Sequence, residues 1–132
     1  MARRARGERG AAVVDFVLIL LVLLPLVVGV LQLALVLHVR NTLASAAAEG
    51  ARHAAVAGSS GPAGRAKVEE LVDGALSQDF VRSVTVRPAS VGGAPGYEVV
   101  VEADVGVLGL GGPAVHVRVS GHAVAEASGA SR

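Results

Sequence analysis

A chain of 132 residues has room for one small domain once a membrane segment is set aside, and although 52% of it is apolar it holds only three aromatic residues, Phe16, Phe80 and Tyr97. The absence of cysteine excludes thiolate chemistry, iron–sulfur clusters and cysteine zinc sites, and leaves an exported domain without disulfide support. The net charge of +1 hides an asymmetry: residues 1–10 carry Arg3, Arg4, Arg6 and Arg9 against Glu8, a net +3, leaving the remainder at −2, so nucleic-acid binding has no support beyond that tail.

The apolar excess is Ala, Val, Leu and Gly. Each of these side chains buries little area, so the core outside any membrane segment is expected to be modest and to lean on a membrane helix or on partner subunits. Residues 16–37 form 22 consecutive positions without a formal charge, interrupted only by Pro25, Gly29 and Gln32. At ~1.5 Å per residue they span roughly 33 Å, enough for a hydrocarbon core of about 30 Å. Membrane helices tolerate such interruptions better than soluble helices do. The arginines just upstream predict a cytoplasmic N-terminus, with everything after about residue 40 outside the cytoplasm. A cleaved secretion signal, cut near Ala44-Ser45-Ala46, is the competing reading. Its apolar region would be far longer than the ~7–15 residues usual for such signals, and His38-Val39-Arg40-Asn41 would separate it from the cut.

Asp15 stands one residue before the apolar run, where a carboxylate favours the positive end of the helix dipole. The sequence around it is Arg9-Gly10-Ala11-Ala12-Val13-Val14-Asp15-Phe16: a glycine after a basic leader, small apolar residues, an acid, an aromatic. Cutting between Gly10 and Ala11 would create a cationic amine close to the membrane, which the acid of a neighbouring subunit could pair. This stretch resembles the processing site of type IV prepilins, and more closely that of the TadE-like pseudopilins of the tight-adherence (Flp-type) pilus, whose usual glutamate is replaced here by Asp15. A second resemblance follows the apolar run, in Arg40-Asn41-Thr42-Leu43-Ala44-Ser45-Ala46-Ala47-Ala48-Glu49-Gly50-Ala51-Arg52.

On physical grounds this second segment continues the helix, since seven of residues 44–55 are alanine, the strongest helix former. Leu43, Ala47, Gly50 and Ala54 make a stripe of mostly small residues that permits close helix approach. Glu49 and Arg52 are i,i+3 neighbours, worth a few tenths of a kcal/mol as an exposed pair. The plainer reading of the segment is a solvated alanine-rich stalk. The resemblance adds assembly roles for Asp15, Arg40, Asn41, Glu49, Gly50 and Arg52, and processing at Gly10, Ala11, Asp15 and Phe16. It implies a prepilin peptidase, other pilus-assembly membrane proteins and sibling pseudopilins as partners, besides the lipid membrane itself.

Composition marks residues 58–64 as a loop. Val68, Leu71, Val72, Ala75 and Leu76 then follow a 3-1-3-1 spacing, which predicts an amphipathic helix from Arg65 ending around Asp79 or Phe80. Glu69, Glu70 and Asp73 read as its solvated face. From Val81 the period becomes two: Val84 and Val86, then Tyr97, Val99 and Val101, then Val115, Val117 and Val119 mark three half-buried strands. The loops between them are placed at residues 90–96 and 106–113. The second carries apolar Val107, Leu108 and Leu110, a surface suited to a membrane or a partner, and lacks the continuation of a nucleotide-binding loop.

The fold class is therefore α+β and pilin-like: a long N-terminal transmembrane helix continuing outside, one amphipathic helix and a small antiparallel three-stranded sheet. The expected organisation is a basic leader (1–10), a transmembrane helix with its extracytoplasmic extension (11–57), a loop (58–64), an α+β domain (65–126) and a tail (127–132). His38, His53, His116 and His122 offer no catalytic or metal-binding spacing, so no enzyme, cofactor, metal or small-molecule substrate is expected. The role implied is a minor pilin or pseudopilin of the bacterial cytoplasmic membrane. The alternative is an uncleaved signal-anchored protein with an extracytoplasmic partner- or ligand-binding domain, which would need neither Gly10 nor Asp15.

Overall fold

The computed structural model describes residues 2–56, 60–76, 78–109 and 112–126. The elements follow in chain order: helix α1 (Ala2–Ala55), helix α2 (Gly61–Ala75), and strands β1 (Val81–Val91), β2 (Ala94–Gly106) and β3 (Ala114–Val124), with short 3₁₀ turns at Gln78–Phe80 and Val107–Gly109. The strands form one antiparallel sheet in the order β1-β2-β3. The class is α+β, as the change of period along the sequence predicts.

The chain divides into two units, Met1–Ala34 and Leu35–Arg132, with the division inside α1. In the first unit the helix runs on through Pro25 without a break, and its large apolar side chains are exposed all round. The most apolar 18-residue window has a mean hydropathy of 3.0 and none of it is buried. A helix apolar on every face is built for a lipid or protein surround rather than for water.

In the second unit, the remainder of α1 supplies one side of a core. Val39, Leu43, Ala46, Ala47, Ala51 and Ala54 are buried along one face of the helix, with Leu43 the largest side chain among the fully buried. Against them pack Val68 and Val72 of α2 and the inner face of the sheet, from Val84, Val99, Val101, Ala103, Val105, Val117 and Val119. Leu35 and Val36 border the same cluster. A core of Val and Ala can close only if backbones approach closely, and glycine makes the approach possible at three places. A Cβ placed on Gly64 would lie 2.7 Å from the Ala54 Cβ and 2.8 Å from the Gly50 carbonyl oxygen. One placed on Gly50 would stand 3.0 Å from the Gly64 carbonyl oxygen and run into Val68. One placed on Gly121 would stand 2.6 Å from the Ala47 carbonyl oxygen, against helix backbone. The α1–α2 crossing is thus glycine on glycine, and β3 lies directly on the α1 backbone.

Several boundaries differ from the sequence reading. Helix α2 starts at Gly61, inside the expected loop, because Pro62 occupies the first turn, where its missing N–H costs no ladder bond; Gly64 N–H already donates to Ser60 O at 3.1 Å. It ends at Ala75 rather than near Phe80, closed by Leu76 N–H on Val72 O at 2.8 Å. Ala75, expected on the apolar stripe, is exposed, and Leu71 and Leu76 are half-buried. The expected loop at 90–96 shrinks to two residues: β1 and β2 run to Val91 and from Ala94, joined by Gly92 and Gly93 with φ of 59° and 85°. Two consecutive positive φ values make the mirror-image turn whose twist matches that of the strands. Val100 is buried although it belongs to the outer face, and Val115 is exposed although it alternates with inward residues. The loop residues Gly58, Ser59, Leu110 and Gly111 and the tail 127–132 lie outside the described residues.

Candidate functional site

The residues that stand out in the sequence fall on α1. Gly10, Ala11, Asp15 and Phe16 are helical and exposed within the first unit, and a Cβ at Gly10 would meet nothing within 4 Å. Ala11 and Asp15, four apart, share one face about one turn (~6 Å) apart along the axis.

In the second unit the segment from Arg40 to Arg52 divides between two faces. Leu43, Ala47, Gly50 and Ala51 point inward: the first two and Ala51 are core, and Gly50 admits α2. Arg40, Asn41, Glu49 and Arg52 point outward and are exposed. Glu49 and Arg52 are 3.6 Å apart, an exposed pair of little energetic weight. Arg40 and Asn41 make no side-chain bond among the described residues, while the intervening Thr42 hydroxyl donates to His38 O at 3.0 Å. The apolar half of the segment is therefore used in folding the chain, and its polar half is left for contacts outside it.

The sheet carries a feature that alternation alone does not reveal. On its outer face the acids belong to the central strand and the bases to the edges. Glu98 sits between Arg87 of β1 and His122 of β3, Glu102 between Ser83 and Arg118, and Asp104 between Arg82 and His116. Arg87 engages one Glu98 oxygen through both Nε and Nη2, and His122 Nε2 lies 3.2 Å from the other. Arg118 donates to Glu102 at 3.0 Å and Ser83 at 3.2 Å. His116 Nδ1 is 2.8 Å from Asp104. The Glu98 carboxyl is held below its ordinary range chiefly by the hydrogen bond from Arg87, against a smaller desolvation cost. Asp104 is lowered first by its hydrogen bond with His116 and further by the Arg82 charge.

Nothing in these groups converges on a reacting centre. Among the described residues no set of three or more His, Asp or Glu could hold a metal ion. The recess between α2 and β1, lined by Arg65, Glu69, Asp73 and Arg82, has its cations already engaged: Arg65 with Glu69 at 2.8 Å, Arg82 with Asp104. Glu70 is likewise occupied by Lys67 at 3.3 Å.

The comparison with known families falls on α1. Residues 10–52 match the family model described as TadE-like protein. This segment is TadE-like. The match takes in both stretches singled out above, from Gly10 through Asp15 to the Arg40–Arg52 segment, and leaves α2 and the sheet uncovered. No curated protein and no solved structure gave a match. Inside the TadE-like segment lies the one helix among the described residues that is long and apolar enough to cross a bilayer, as a membrane-anchored protein requires.

Proposed function

We propose that this chain is a minor pilin or pseudopilin of a tight-adherence pilus, a structural component rather than an enzyme, whose activity is assembly. The observation that carries the reading is the TadE-like match over residues 10–52, which begins at the glycine of the processing motif. The basic leader stays in the cytoplasm, and the domain built around residues 35–126 stands outside. A prepilin peptidase cuts after Gly10, and the new amine at Ala11 is neutralised by Asp15 of a neighbouring subunit. The apolar helix then packs sideways against other pilus-assembly membrane proteins. The outward residues Arg40, Asn41, Glu49 and Arg52 supply polar contacts just beyond the membrane, a role supported by their exposure and by the lack of a long-range side-chain bond from any of them among the described residues.

The N-terminal residue of the mature protein, recovered from membranes of cells with an active prepilin peptidase, tests this. The expected start is Ala11, lost in Gly10→Ala, with Asp15→Ala trimmed but defective in assembly. An intact N-terminus in the unaltered chain would refute processing and leave a signal-anchored protein. A start near Ala47 would identify a secretion signal.

A further inference from the structure

The β2–β3 end of the sheet lies at the level where α1 leaves its apolar run. Strand β3 runs alongside α1 in the same direction. Val115, His116, Val117 and Arg118 share a recess with Val36 and Arg40, Gly121 touches Ala47, and Glu126 N–H donates to Ala55 O at 3.0 Å. The spacings agree. From Gly121 back to Val115 is six residues of strand, about 20 Å; from Ala47 back to Leu35 is twelve residues of helix, about 18 Å. Val115, at the start of β3, therefore sits beside Val36, next to Leu37, the last uncharged residue before His38 and Arg40.

What this end presents is apolar. Val107, Leu108 and Val115 are 43%, 44% and 46% exposed, while the residues one step away in the strands, Val105 and Val117, are core. Leu108 also has a left-handed backbone, φ 51° and ψ 28°. That conformation costs a side-chain-bearing residue roughly 1–2 kcal/mol, and here it turns a leucine outward rather than into the core. Just above stands Arg40, which has no side-chain partner among the described residues; His116 and Arg118, which line the same recess, are engaged by Asp104 and Glu102. Exposed aliphatic groups below the free guanidinium of Arg40 match the order of a bilayer, acyl chains below phosphates.

We propose that Val107, Leu108 and Val115 insert into the outer interface of the same bilayer that α1 spans, so that the domain is seated on the membrane at two points. The surface fits lipid: acyl chains for the aliphatic residues and anionic headgroups for Arg40. The inference rests on residues 16–37 spanning the membrane, and the experiment separates the two.

The chain has no native cysteine, so single cysteines report without interference. Val107→Cys, Val115→Cys, Ser90→Cys at the opposite end of β1, and Leu24→Cys within the apolar helix are each labelled with an environment-sensitive fluorophore. The full chain is reconstituted in bilayers of phosphatidylcholine and phosphatidylglycerol. The expected result is that positions 107 and 115 are quenched by a spin label at a shallow acyl carbon. They should also be several-fold less sensitive to aqueous iodide than position 90. Iodide quenching at 107 and 115 equal to that at 90, with Leu24 quenched by lipid, would overturn the seating while leaving the span intact. Protection from both quenchers would mean that protein covers the loop, and would also overturn it. A Leu24 position insensitive to lipid label would sink the membrane span and the seating with it.

Discussion

Replacing Gly64 by alanine sets two opposing effects against each other, and the structure says which wins. In a helix interior alanine is favoured over glycine by about 1 kcal/mol. At Gly64, however, the added methyl would lie 2.7 Å from the Ala54 Cβ and 2.8 Å from the Gly50 carbonyl oxygen. Carbon contacts settle at about 3.5–4.0 Å, so α2 must move off α1 by roughly 1 Å and loosen Val68 and Val72 from the core. Overpacking of this kind costs typically 1–3 kcal/mol. Gly74, in the same helix, has nothing within 4 Å of its would-be Cβ, so Gly74→Ala keeps only the favourable part. The two variants should differ by about 2 kcal/mol, roughly thirtyfold in an equilibrium constant. The assay is amide hydrogen exchange of the central strand, residues 99–105, in the membrane-reconstituted chain, where protection reports opening of the domain rather than of the apolar helix. Gly74→Ala should raise protection and Gly64→Ala lower it. If Gly64→Ala raised protection as much as Gly74→Ala, the backbone contact between α1 and α2 would not exist. Gly50→Ala combined with Gly64→Ala should cost less than the two separately, since both relieve the same crossing.

Leu43 is the largest side chain among the fully buried ones, and Leu43→Ala should destabilise the domain by about 2–5 kcal/mol, read as accelerated proteolysis between β1 and β3 with the apolar helix still in the membrane fraction. Acid should loosen the sheet through Glu98 and Asp104. Both carboxyls have folded values below their ordinary ones, so the stability they contribute is complete above the ordinary carboxylate range and is lost as pH falls through the lowered values. A denaturation series from neutral pH downward should show this acid limb, and Glu98→Gln with Asp104→Asn should flatten it.

The physics that repeats along one chain direction was legible in the sequence. The uninterrupted apolar run, the inward stripe of Leu43, Ala47, Gly50 and Ala54, and the alternation of Val99 with Val101 each follow from a helix or strand period. What depends on pairing was not legible. Gly92-Gly93 is a strong two-residue hairpin signal, but with Pro95 and Gly96 beside it residues 90–96 read locally as one Gly/Pro-rich loop; β1 is an edge strand, where Pro88, without an N–H, is accommodated. Without that turn the register is free, and the placing of acids on β2 between bases on β1 and β3 does not follow from the sequence. Pro62 is ambiguous in the same way: it marks a helix start that reads locally as a loop. Gly121 gave no local signal at all, because its reason lies in α1, more than seventy residues earlier in the chain.

That glycine has a geometric consequence. Where two elements meet through side chains, a small slide can be taken up by new rotamers. Where β3 meets the α1 backbone at Ala47 and Ala48 there are none to adjust, and the Gly50–Gly64 crossing fixes a second point nearby. The helix then acts as a ruler with the domain clamped at one graduation. The ten residues from Leu37 to Ala47 set its height above the end of the apolar run at about 15 Å. Adding or removing one turn of helix just after Leu37 would raise or lower the sheet by about 5.4 Å while leaving the core residues of α1 from Val39 onward on their partners.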